Sequence, residues 1–156
     1  MTLQDLPFWD AVDRVREQDP RYRREAYGFV VGALGVTVQS LAPERRLDPV
    51  RRHLSGRELL EGIAALARRE FGFLAPTVFR EWGVLAGDDI GRIVFQLVEC
   101  RQLSARPEDS LADFLGFDLA GGLAADGRTR ITPGGTRGGS SGRPEAESGS
   151  GPESAH

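Results

Sequence analysis

A chain of 156 residues, 40% of them hydrophobic, has material for one sizeable core and hardly for two, so a single domain is expected. The formal net charge of −3 gives no support to a nucleic-acid or acidic-membrane partner, and the one cysteine, Cys100, excludes an intrachain disulfide. That cysteine usage, with no basic-then-apolar signal pattern at the start, leads to the expectation of a cytoplasmic protein.

The first element is set by Pro7, which suits an opening helical turn after Asp5 or Leu6. Phe8, Trp9, Val12 and Val15 then give a short helix one apolar face. Asp19-Pro20 repeats the start signal, and Tyr22, Ala26, Tyr27, Val30, Ala33, Leu34, Val38 and Leu41 recur at helical spacing. Gly28, Gly32 and Gly35 weaken this helix by about 1 kcal/mol each where exposed. No charge falls between Glu25 and Glu44, and Gly28-x-x-x-Gly32 matches a transmembrane packing motif. The glycines, Thr37, Gln39 and Ser40 dilute that run too far for a span, so a buried central helix approached closely by another is expected. Residues 42 to 54, with Pro43 and Pro49, read as a surface connection.

The densest signals lie between His53 and Leu103. Ser55 and Glu58 have capping-box spacing, which predicts a helix start. Leu59, Leu60, Ile63, Ala64, Leu66, Ala67 and Phe71 supply its apolar stripe, and Gly72 its left-handed end. Pro76 opens a helix carrying Val78, Phe79 and Trp82 and stopped by Gly83. Asp88 or Asp89 is placed to cap a third, with Ile90, Ile93, Val94, Leu97 and Val98 on its buried side. Leu111, Phe114, Leu115, Phe117 and Leu119 follow a turn-forming Arg106-Pro107-Glu108-Asp109 cluster. They fit either a short helix or a β-hairpin with residues 103 to 105. From residue 120 to 156, Gly, Ser, Pro and Thr replace large apolar residues, and a disordered tail is expected.

The fold expected is therefore mainly α: a five- to six-helix domain over residues 1–119, its C-terminal half ordered like a helix-turn-helix with a wing, a short hairpin near 103–119. Tyr22-x-x-x-Ala26-Tyr27-x-Phe29-Val30, Arg52-His53-x-Ser55-Gly56-x-Glu58, Phe71-Gly72, Trp82-Gly83-Val84 and Asp89-x-Gly91-x-Ile93-Val94-Phe95 occur in an order of their own. In that order the chain resembles a family of bacterial hypothetical proteins largely restricted to Verrucomicrobia and Planctomycetes, over about residues 5 to 119. The resemblance implies one helical domain and no assigned activity. The glycine-rich second helix and the long tail depart from it.

Three function classes compete. A winged-helix nucleic-acid binder fits the element order, but Asp88-Asp89 would open the recognition helix, and an acidic start repels phosphate. An enzyme could be built on His53, Ser55 and Glu58, or on a carboxylate site of Glu25, Glu58, Glu61 and Asp89. The capping box already accounts for Ser55 and Glu58, and the Glu-x-x-His spacing of helical metal sites is missing. Cys100, late in a helix, is read as a packing residue. The reading adopted is a non-enzymatic interaction or regulatory domain without cofactor or metal, binding a protein partner or a second copy of itself. Its candidate positions are Gly28, Gly32, His53, Ser55, Glu58, Trp82 and Asp89.

Overall fold

In the computed structural model, which describes residues 5–106 and 109–124, a helix without charge beyond its first two residues packs against four of the others. This is α2, Arg24–Gln39, and it touches α1 (Asp5–Gln18), α4 (Gly56–Phe71), α5 (Ala75–Trp82) and α6 (Gly87–Glu99). Its buried side is Ala26, Tyr27, Val30 and Ala33, the three- and four-residue spacing of a core-facing stripe. Tyr22, fully buried, stands before the helix rather than in it, because the turn begins at Arg24. No helix among the described residues is long and apolar enough to cross a membrane.

Glycine decides how closely two neighbours approach α2. A Cβ on Gly28 would meet the Trp9 ring of α1 at 2.8 Å, and the Arg24 guanidinium covers the same ring 4.6 Å from its centroid. On α4, a Cβ on Gly62 would overlap the Thr37 hydroxyl of α2. Gly32 meets nothing within 4 Å. The Gly-x-x-x-Gly pair is thus split, with one glycine used against α1 and the other open.

The connection after α2 holds one short helix, α3 (Pro43–Arg46), and leaves Leu47 and Val50 exposed. α4 begins with the foreseen capping box: the Ser55 hydroxyl accepts from the Glu58 amide at 3.1 Å, and the Glu58 carboxylate from the Ser55 amide at 2.9 Å. Gly72 ends it at φ 59°, and after a 3₁₀ turn over Gly72–Leu74 Pro76 enters the first turn of α5. Gly83 closes α5 in the left-handed region at φ 89°, where an added Cβ would meet the Arg21 carbonyl oxygen at 2.5 Å.

Three expectations need correction. Neither Asp88 nor Asp89 is the N-cap of α6; the helix starts at Gly87, and Asp89 reaches back from the first turn to the amides of Leu85 and Ala86 at 2.8 and 3.0 Å. No strand occurs among the described residues, and of the two readings of residues 103–119 the hairpin gives way to the short helical one, a 3₁₀ turn, Leu111–Phe114. There the carboxylates of Asp109, Asp113 and Asp118 accept from the amides of Arg106, Ser110 and Gly121, so that local bonds occupy backbone donors a strand would need. The folded region also passes residue 119. α7 runs Leu119–Ala124, buries Leu119 and Leu123, and packs on α4 and α5. The expected tail falls otherwise at 125–156, outside the described residues.

Gly32→Ala and Gly62→Ala should move stability in opposite directions. The first adds helix propensity in open space and is expected to stabilise by about 0.5–1 kcal/mol. The second forces Thr37 aside and is expected to destabilise by about 1–3 kcal/mol, with recovery in Gly62→Ala/Thr37→Ala. Urea unfolding of the three variants checks this; two shifts of the same sign would contradict the α2–α4 packing described.

Candidate functional site

Two of the polar side-chain clusters differ in how fully their atoms are used. The first surrounds Asp89, the buried charged residue of the core at 8% exposure. One carboxylate oxygen takes the amides of Leu85 and Ala86; the other takes the Tyr22 hydroxyl at 2.6 Å and Arg92 at 2.8 Å. Arg92 also reaches Asp88 at 3.2 Å. Burial, then the bond to Asp89, pushes the Tyr22 hydroxyl above its ordinary range, which keeps it a donor. Four donors on one carboxylate satisfy it, so the cluster fastens α6 to the entrance of α2 and the Asp89 carboxylate has no oxygen left unbonded for a ligand.

The second cluster edges a cleft of about 340 Å³. α2 supplies Leu34 and Val38, α6 supplies Val94 and Phe95, and α4 supplies Leu59 at its start. Phe114, held over Gly91 of α6 where a Cβ would meet its ring at 2.9 Å, adds to the lining. Residues from 49–56, 103–105 and 109–113 form the rim, which carries Arg52, His53, Ser55, Ser104, Asp109 and Asp113. The chain turns into the second rim segment at Arg101, a non-glycine residue at φ 64°, from which Gln102 and Leu103 both donate to the Leu97 carbonyl.

The rim is tied across by His53 Nε2 and Asp109 Oδ2 at 3.0 Å and by a bond from the Arg106 guanidinium to the Val50 carbonyl. Asp109 Oδ2 accepts from the Arg106 amide as well, at 2.7 Å. A carboxylate oxygen facing Nε2 accepts the proton of that nitrogen in a hydrogen bond. Among the described residues neither Nδ1 of His53 nor Oδ1 of Asp109 has a hydrogen-bond partner.

Of the residues picked out in the sequence, His53 and Ser55 share this cleft, and the other five lie elsewhere. Glu58 completes the cap and holds the Arg45 guanidinium by two bonds of 2.6 and 2.8 Å. Trp82 packs with Phe29, Phe71 and Phe79 at centroid distances of 5.2 to 5.8 Å. Gly28 meets Trp9, Gly32 is open, and Asp89 is structural. The carboxylates Glu25, Glu58, Glu61 and Asp89 form no metal-holding group, and none is found among the described residues. Asp109 was missed in the sequence, since it pairs with His53 across 56 positions. The Ser110-x-x-Asp113 spacing was the available signal that its surroundings were a turn and not a strand.

As a chemical device the cleft has a histidine–carboxylate pair at its mouth and apolar walls. His53 has no hydroxyl or thiol bonded to it among the described residues, and the Ser55 hydroxyl is bonded by the Glu58 amide, so a nucleophile activated by a base is not assembled. No family model, curated protein or solved structure matches this chain, so the comparisons add nothing to the bacterial resemblance.

Two outcomes follow from these clusters. Asp89→Ala should cost about 3 kcal/mol, because it leaves buried donors and Arg92 without a partner, against about 1 kcal/mol for Tyr22→Phe. Chemical denaturation of the two variants tests this, and near-equal losses would contradict the central place of the carboxylate. Arg45 first, then the Ser55 amide, hold the Glu58 carboxyl down at about 2 from its ordinary 4.5. A depressed acid stabilises fully above its unfolded value and loses that contribution as pH falls through the folded one. The gap between wild type and Glu58→Gln should therefore shrink from about pH 4.5 toward pH 2, read by urea unfolding at each pH; a constant gap would argue against the pairing.

Proposed function

We propose that this chain is a small non-enzymatic interaction or regulatory domain that engages its partner by admitting an apolar group into the cleft between α2, α6 and residues 103–105 and 109–114. The observation that carries the reading is the contrast between the two polar clusters. Around Asp89 the carboxylate is taken up by the fold, whereas at the cleft apolar walls meet a His53–Asp109 pair whose Nδ1 and Oδ1 have no hydrogen-bond partner among the described residues. An apolar cavity of about 340 Å³ with a few convergent polar atoms is the usual form of a binding site. A cytoplasmic location, suggested by cysteine usage, belongs to the same proposal.

The helix-turn-helix reading has one observation in its favour, the order α5, Gly83, α6. Against it stands the start of α6, where Asp88 and Asp89 precede the first arginine and Arg92 is bonded to both. A duplex approaching that end would meet carboxylates and an arginine already neutralised. Nucleic-acid binding therefore takes second place, and a wing of β-structure has no strand among the described residues to support it.

Ala105, exposed on the cleft lining, gives a way to test the proposal without disturbing the core. Affinity capture from native lysate is expected to retain a specific protein after nuclease treatment, to lose it with Ala105→Trp, and to keep it with Gly32→Ala, outside the lining. Capture unaffected by Ala105→Trp would reject the cleft as the contact, and loss of every captured species on nuclease treatment would favour the nucleic-acid reading.

A further inference from the structure

The chain itself carries an apolar group of the kind the cleft would admit. Phe73 and Leu74 lie in the 3₁₀ turn between α4 and α5, 90% and 50% exposed, and Phe73 is the most exposed large hydrophobic residue among those described. The turn is fixed at both ends. Gly72 enters it at φ 59°, the amide of the fully buried Ala75 closes it on the Gly72 carbonyl, and Pro76 restrains the next position. Phe71 and Phe79, on either side in sequence, pack with Trp82, whereas Phe73 and Leu74 take no part in the core. The fold thus holds an apolar pair in water on a rigid support, and docking it costs little ordering entropy.

The cleft has the chemistry and the size to receive that pair. Leu34, Val38, Leu59, Val94, Phe95 and Phe114 present no polar side-chain atom, and Phe95 and Phe114 stand edge to face with centroids 6.3 Å apart. A dry cavity of roughly 150 Å³ takes a benzene ring, so about 340 Å³ has room for a phenyl ring with a leucine side chain. Leu47 and Val50, exposed on either side in sequence of the lining residue Pro49, add apolar surface next to the rim. Both surfaces carry charges of both signs, Arg52 with Asp109 and Asp113 on the rim and Arg69 with Glu70 before the turn, so no single-sign field opposes their approach.

Their placement decides which molecule supplies the group. Ser55, Gly56 and Leu59, at the start of α4, line the cleft, and Phe73 follows the end of that helix. Sixteen residues of α-helix form a rod of about 24 Å, so the turn and the cleft of one molecule are held apart. We infer that Phe73, with Leu74, of one copy enters the cleft between α2 and α6 of another, a head-to-tail contact between two different surfaces of the same chain. This rests on the cleft reading of the proposed function and names the partner as a second copy. Such a contact leaves each pair with one free turn and one free cleft, so association continues past two copies unless a ring closes. Two side chains bury far less than the roughly 1,200–2,000 Å² of a stable interface, which makes the contact weak and concentration-dependent.

Sedimentation equilibrium of the full chain from micromolar to millimolar concentration tests this, with mass expected to rise past that of a dimer. Phe73→Ser and Ala105→Trp should each raise the concentration needed at least about tenfold, as loss of a central anchor does. Both positions are exposed, so unfolding midpoints should stay unchanged. Mixed together, the two variants should associate again and stop at one pair, because Phe73→Ser keeps the cleft and Ala105→Trp keeps the turn. With the Phe73→Ser chain isotopically labelled, that mixing should shift the amides of 94–95 and 103–105 to saturation. Monomer at every concentration would overturn the inference, and the cleft reading would still stand if Ala105→Trp removed a different protein captured from lysate. Association lost with Phe73→Ser but unaffected by Ala105→Trp would put the turn on another surface, against both the inference and the cleft. Failure of the mixed variants to associate would mean that each copy must supply both groups at one contact, which also overturns the head-to-tail arrangement.

Discussion

The constraint on which the structure turns is that α2 carries no charged side chain from Ala26 to its end at Gln39. Such a helix has no ionic face to turn to water and must be covered on several sides. Its neighbours do this unequally. α1 and α5 lie against it, α4 crosses it at the Gly62–Thr37 contact, and α6 packs along it with Ile90, Ile93 and Leu97 buried. Leu34 and Val38, toward its C-terminal end, keep a side that no helix fully covers. The cleft is this remainder, edged by the two loop segments that come nearest.

The same packing explains why the polar groups fall where they do. Where α6 begins, the chain must bring an exposed loop against a fully buried tyrosine, and a single carboxylate satisfies the amides of the loop, the tyrosine and an arginine together. Farther along α6 a second polar chain, Tyr27 to Gln96 to Asp19, joins α2, α6 and the turn after α1 at 2.5 and 2.9 Å. Burial drives the Tyr27 hydroxyl far above its usual range and preserves it as the donor in that chain. Polar bonds thus fasten one edge of α6, while the edge bearing Val94 and Phe95 faces the cleft.

Much of the fold was legible because its signals were local. Ser55 with Glu58, Pro76, Gly72 and Gly83 each act within one helical turn, and each marks a boundary close to where the sequence places it. The errors arose where distance or competition mattered. Leu111 to Leu119 had the apolar content of a strand, but side-chain carboxylates captured the backbone amides nearby. Leu123 was lost among small residues at 120–124, yet it is buried, and the Gly122 carbonyl takes a bond from Arg68 on α4 at 2.5 Å. The site was half visible: His53 attracted notice as a lone histidine, while Asp109, Phe114 and Leu34 become its neighbours only through tertiary structure.

The two tryptophans divide the molecule into separately observable parts. Trp9 lies on Gly28 beneath the Arg24 guanidinium, and Trp82 sits among Phe29, Phe71 and Phe79. Their indoles therefore have different surroundings, one beneath a guanidinium and beside Phe8, the other among three phenylalanines, and neither borders the cleft. Intrinsic fluorescence distinguishes loosening of the first helix from loosening around α5 and is insensitive to direct contact with a cleft-bound molecule. The protein thus carries two internal optical reporters of its integrity, leaving occupancy to be read by other means.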